Sequence, residues 1–181
     1  MITLLFISLV VFMAYTAITT KIYGVPNSIT DTHFSIEESH PKSTWIYTLA
    51  CWLTGGLALP FMLETNTGDG QFLGFFSFIG MLILGLIPLM KISNKITDYI
   101  VVGATVVVSQ LWIGTSEIFW MLFVTWGLFL AYAVYFIIKN KSLGFKTVIV
   151  NMKPVFLAEI VSIAGVYAVT IIHMLNGGVN N

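Results

Sequence analysis

The sequence predicts an all-α, polytopic membrane protein of about six transmembrane helices, organised as one membrane domain over 1–181, with both termini outside. Three observations carry this. Of 181 residues, 57% are hydrophobic and 9% charged, with a mean hydropathy of +0.93, where a soluble domain has about 25% charged residues. The apolar residues gather into windows at 2–20, 45–63, 71–90, 99–116, 118–138 and 154–175, each close to the ~20 residues a helix needs to cross hydrocarbon. Lysine is confined to alternate connections. Only helices and closed barrels satisfy every backbone polar group in lipid; barrel strands are alternating segments of about ten residues, whereas these windows are continuous, so they are helices.

The first window, "MITLLFISLVVFMAYTAITTK", lacks the positive leading region of a cleaved signal and is long enough to span, so it reads as span 1. The connection 21–44 follows, and within it "NSITDTHFSIEESHPKS" (27–43) crowds acids, histidines and hydroxyls. Ser28 and Asp31 have the spacing of a capping box. With Pro26 before and Pro41 after, they predict a short helix over about 29–39. On such a helix His33, Glu37 and His40 share a face with Asp31 nearby. A histidine and a carboxylate four residues apart is a spacing that zinc uses, although the pattern is looser than HExxH, and a solvated polar face is the plainer reading. The connection can also fold back over the mouth of the bundle as a gate or plug, reaching the ends of spans 4 and 6.

Spans 2 and 3 are separated by a few residues and must form an antiparallel hairpin. Gly55 and Gly56, then Gly70, Gly74, Ser77 and Gly80, recur at the three- and four-residue spacing that lets membrane helices approach closely. Packing inside one chain is the first use for this face, and a homo-oligomer seam through glycine-rich span 3 the second. Pro60 and Pro88 fall near the ends of these spans, where they kink helices. Cys51 is the single cysteine and has no partner in the chain to pair with. Span 4 carries Asp98, Thr105 and Ser109 on one stripe, with Gln110 beside it. Trp120, Tyr132 and Tyr135 of span 5 suit interfacial belts.

Span 6 holds the one acid well inside a window, Glu159. A charge there costs several kcal/mol unless it is paired, protonated or wetted. Ser162, Thr170 and His173 lie within about 60° of its direction at 100° per residue, which makes a polar stripe. Glu159 and His173 are separated by about 21 Å of helical rise and form no dyad with each other.

Orientation follows from the rule that lysine is retained on the cytoplasmic side. Lys21 and Lys42 lie in the first connection, Lys91 and Lys95 in the third, and Lys139, Lys141, Lys146 and Lys153 in the fifth; these are all eight cations. The second and fourth connections carry Glu64, Asp69 and Glu117. The polar connection therefore faces the cytoplasm, and the inner membrane is the expected location. Zero net charge and the absence of arginine argue against nucleic-acid partners and phosphate clamps; the lipid bilayer is the expected partner, and no cofactor is expected.

The run "YGVPNSITDTHF", followed by "TWIYTLACWLTGGLALPFMLE" and "GQFLGFFSFIGMLILGLIPL", resembles a functionally uncharacterised family of small multi-span membrane proteins of gut bacteria and their phages. The resemblance covers roughly residues 20–90 and rests on a pattern like (I/V)P-x-S-(I/L)-(S/T)-(D/E)-T-(Y/H)-(Y/F) before a Trp-rich span. It implies a bacterial or phage origin and no mechanism. Because tyrosine is expected at the position of His33, the resemblance weakens the metal reading. Three functions are compatible with these residues: a small permease or channel with its polar path along span 6 (Glu159, Ser162, Thr170, His173, with Asp98 and Ser109); an oligomerising scaffold or effector; and, lacking a second catalytic constellation, an intramembrane lipid-modifying enzyme. The first is the leading expectation, with no catalytic residue assigned.

Overall fold

In a hydrocarbon solvent the backbone has no partner but itself, and the chain answers with helices throughout. The computed structural model describes residues 2–90 and 94–177, apart from the side chain of Asp69. These residues form α1 (Ile2–Tyr23), α2 (Thr32–Ser39), α3 (Trp45–Thr65), α4 (Asp69–Leu89), α5 (Lys95–Gly114), α6 (Met121–Lys139), α7 (Phe145–Met152) and α8 (Pro154–Leu175). Among the described residues there is no strand. Six helices, α1, α3, α4, α5, α6 and α8, are long and apolar enough to cross a membrane, and the protein is a multi-pass helical membrane protein. Lys91 lies outside the described residues.

The boundaries move for local reasons. α5 begins at Lys95 instead of 99 because Asn94 Oδ1 accepts from the Thr97 amide at 2.8 Å. This cap draws Asp98 into the first turn, where a negative charge complements the helix dipole. α6 begins at Met121 because 116–120 are spent in a turn, in which Ser116 Oγ accepts from the Ile118 amide at 3.3 Å. α7 is an addition to the six expected spans. Gly144 (φ 78) opens it and Lys153, in the left-handed region (φ 53), closes it, after which Pro154 takes the first position of α8, a place where its missing N–H is no loss. α7 buries Val148 and Met152 and leaves Phe145 and Val150 outward.

α1, α3, α4 and α5 pack in succession, and α8 packs against α3, α5 and α6. Spans 4 and 6, which carry the two polar stripes, are therefore neighbours. Close approach relies on small residues. The indole of Trp112, fully buried, lies where a Cβ on Gly74 would come within 3.2 Å of its Nε1, and that Nε1 donates to Met62 O at 3.2 Å. Gly80 faces Thr105 on α5 so closely that no side chain fits between them. The glycine face of span 3 is thus occupied by contacts within the chain.

Several polar side chains inside the bundle are tied to neighbouring helices, as glue between them. Ser8 Oγ on α1 donates to Thr54 O on α3 at 2.7 Å and also bonds the Tyr167 hydroxyl on α8. At the opposite end of the bundle from the polar connection, Asn66 Nδ2 donates to Trp112 O at 2.8 Å and Thr115 Oγ1 at 3.0 Å. Trp126 Nε1 on α6 donates to Gln110 Oε1 on α5 at 2.9 Å. The outer faces are apolar: Phe123, Leu128 and Ile138 on α6 and Val10 and Met13 on α1 are exposed, a surface suited to lipid and not to water.

Candidate functional site

The polar connection does not lie on the surface as a solvated helix. Its first half, 27–33, is driven into the end of the bundle, where Ser28, Thr30, Thr32 and His33 are all at most 3% exposed. Asn27 anchors the entry. Its carbonyl accepts from the Phe156 amide at 2.9 Å and its Oδ1 from Lys153 Nζ at 2.6 Å, which ties the loop to the start of α8.

The next three residues converge on Glu159, one turn further along α8. Ser28 Oγ donates to Glu159 Oε1 at 2.6 Å, the Ile29 amide to Oε2 at 2.5 Å, and Thr30 Oγ1 to Oε1 at 3.3 Å. Ser28 Oγ also accepts from the Thr30 amide at 3.1 Å. A carboxylate with about four acceptor sites thus receives two hydroxyls and a backbone N–H from a single short segment. Hydrogen bonds to a charged group contribute about 1.5–3 kcal/mol each, so this cluster is what holds the plug in place.

The rest of the segment is fixed to α1 and α5. Thr32 Oγ1 bonds the Tyr15 hydroxyl at 2.5 Å. The Tyr99 hydroxyl donates to Asp31 Oδ2 at 3.0 Å. His33 sits with Nε2 at 3.6 Å from Asp98 Oδ2, both side chains fully buried, while its Nδ1 bonds Thr30 O and its ring lies against Phe34 and Tyr47.

This geometry corrects several expectations. Ser28 and Asp31 do not form a capping box: α2 starts at Thr32, and its N-cap Asp31 makes no side-chain cap bond, because the Ser28 hydroxyl has gone to Glu159 and the Asp31 carboxylate to Tyr99. Asp31, His33, Glu37 and His40 do not share a metal-binding face. His33 points inward, Glu37 is exposed, and His40 is exposed with its Nδ1 3.1 Å from the Tyr23 hydroxyl. Among the described residues no group of three or more His, Cys, Asp or Glu is placed to hold a metal ion. Asp98 faces His33.

Next to the plug, lined by residues of α1, α3, α4, α5 and α8, lies a cavity of about 120 Å³. Thr30 and Glu159 form part of its wall, and Ser162 and Ser109 line it. Ser162 and Ser77, also on its wall, are 2% and 5% exposed, and their hydroxyls have no hydrogen-bond partner among the described residues. Further along α8 the stripe is interrupted: Thr170 is buried with its hydroxyl returned to Val166 O at 2.8 Å. There Trp112, Ile113, Val166 and Val169 pack into one apolar cluster and Phe61, Tyr167 and Met174 into another. His173 is half-buried beyond them. Of the six residues of the predicted path, Glu159, Ser162 and Ser109 meet at the cavity; Asp98 sits at the plug, and Thr170 and His173 are set apart.

Sequence reasoning missed Asn27, Tyr15 and Tyr99 as partners of this site. A signal existed for the tyrosines, since a phenol inside or beside an apolar span needs a partner for its hydroxyl.

The fold and this site together define a multi-pass helical membrane protein with a polar loop seated on a buried carboxylate at one end of the bundle. No known family matches the chain, and neither a curated protein nor a solved structure is similar to it.

Proposed function

We propose that the protein is a small permease of the bacterial inner membrane that moves a proton or cation by way of Glu159, with the 27–33 plug on the cytoplasmic side and both termini outside. The observation that carries this is the double position of Glu159: the carboxylate is the seat of the plug and part of the wall of the cavity next to it. Any proton or cation that takes the carboxylate competes with the donors of the plug, so occupancy and gating are coupled through one side chain. An acid held within a membrane span for structural reasons alone is a costly arrangement. The lysine asymmetry supports the orientation.

The test is flux into proteoliposomes, measured with an internal pH dye and with rubidium under an imposed potential. Glu159→Gln keeps the shape and one acceptor oxygen but removes the charge. It is expected to lower flux at least tenfold while the purified protein keeps its elution volume and helical content. Flux equal to that of the wild type overturns the proposal.

A further inference from the structure

The wall of the cavity is unlike an inorganic ion site. Sodium or potassium replaces its hydration shell with a ring of oxygen ligands, and calcium takes six to eight. Here one carboxylate shares the cavity wall with the rings of Phe12, Tyr15, Tyr47 and Phe78 and the thioether of Met81. Rings and thioethers attract a cation whose positive charge is spread over an apolar body, through the ring quadrupole and dispersion.

Among the described residues no lysine or histidine forms an ion pair with Glu159, and its three donors, Ser28, Ile29 and Thr30, are all neutral. These take three of about four acceptor sites and leave one on Oε2. Two buried hydroxyls on the same wall, Ser162 and Ser77, are without partners among the described residues. The volume, about 120 Å³, falls in the range of the roughly 150 Å³ cavity known to accept benzene, which limits the guest to a handful of non-hydrogen atoms.

We propose that this cavity binds a compact organic ammonium ion, a short alkylamine or methylated amine, with Glu159 as its counter-charge, the aromatic rings around its substituents, and Ser162 and Ser77 serving any polar group it carries. The proposal rests on the permease reading in naming such an ion as the cargo. Because Ile29 and Thr30 belong both to the plug and to the cavity wall, a bound ligand touches the plug directly.

The experiment is a titration of the full chain in nanodiscs, with methyl-labelled methionine observed by NMR. Met62 and Met81 line the cavity, and the exposed Met13 and Met90 serve as internal controls. Tetramethylammonium is expected to shift the Met62 and Met81 methyl signals saturably at roughly millimolar concentration, in keeping with the ceiling of about 1.5 kcal/mol per non-hydrogen atom for very small ligands. Neutral tert-butanol, of nearly the same shape, is expected to bind at least tenfold more weakly, and Glu159→Gln to weaken tetramethylammonium binding at least tenfold. Equal binding of the neutral compound, undiminished binding to the Gln variant, or no shift of the cavity methyls overturns the proposal. The tert-butanol comparison uses the unaltered protein, so it discriminates whether or not the variant folds. Tetramethylammonium binding without flux of protons, rubidium or tetramethylammonium itself into proteoliposomes refutes the permease and leaves the site standing; flux that depends on Glu159 without ammonium binding refutes this inference alone.

Discussion

Replacing Ser28 with alanine removes one of the three bonds from the plug to Glu159 and, with it, the acceptor of the Thr30 amide. The hydroxyl is fully buried, so water does not substitute for it while the plug is seated. A hydrogen bond to a charged acceptor contributes about 1.5–3 kcal/mol, and an orphaned buried N–H costs about 1–3 kcal/mol. Allowing for relaxation of the loop, the seated state should lose about 2–3 kcal/mol relative to the released one. At about 1.4 kcal/mol per decade this is a rise of roughly 30- to 150-fold in the released population. Hydrogen exchange of the amides reads that population directly, because exchange in a locally opening segment follows the free energy of opening. The amides of Ile29, Thr30 and His33 should exchange faster by that factor, and those in the middle of α4 should not change. Plug amides within twofold of the wild type would refute the assignment of Glu159 as the seat. A uniform acceleration through all helices would refute it too, by showing that Ser28 supports the bundle as a whole.

Two further outcomes follow from the packing and the charge pattern. Gly80→Leu forces a side chain into Thr105 and should destabilise the protein by about 1–3 kcal/mol in denaturant titrations, whereas Gly103→Leu, where a Cβ meets nothing within 4 Å, should be close to neutral; equal effects would mean that the α4–α5 contact is not the tight one. Single cysteines introduced at the exposed positions Ser39 and Asn176 should react with an impermeant maleimide from opposite sides of the membrane. The native Cys51 is buried and should contribute little background, and labelling of both positions from one side would overturn the proposed orientation.

The spans are legible in the sequence because hydrocarbon imposes a length and tolerates few charges, so six apolar windows translate almost directly into six helices. Glu159 is legible for the same reason, as the acid that breaks the rule within its span. Its partners are harder to read. Ser28 and Asp31 carry a local capping signature, and a tertiary acceptor 131 residues away takes the hydroxyl; no periodicity within the connection reveals a competitor on another helix. His33, Glu37 and His40 share a face if the helix continues through 40, but α2 ends at Ser39 with His40 in a non-helical cap, and His33 is buried against Asp98 and Tyr47 while Glu37 and His40 are exposed. α7 escapes sequence reasoning because eight residues are too few for a periodic signal, although Gly144 before it and Pro154 after it mark its ends.

The latch joins residues made far apart in time. Ser28 and Glu159 are separated by 131 residues, which at about 5–20 residues per second is about 7–26 s of synthesis. For that interval the loop between the first two spans has no seat, and the early helices enter the bilayer with their mouth unsealed. The polar character of the loop, which keeps it wetted outside the hydrocarbon, suits that waiting period. Sealing is then a late event in the biogenesis of the chain, triggered by the arrival of α8. A ribosome that stalls before Glu159 should therefore leave behind an open bundle, a ready target for membrane quality-control proteases.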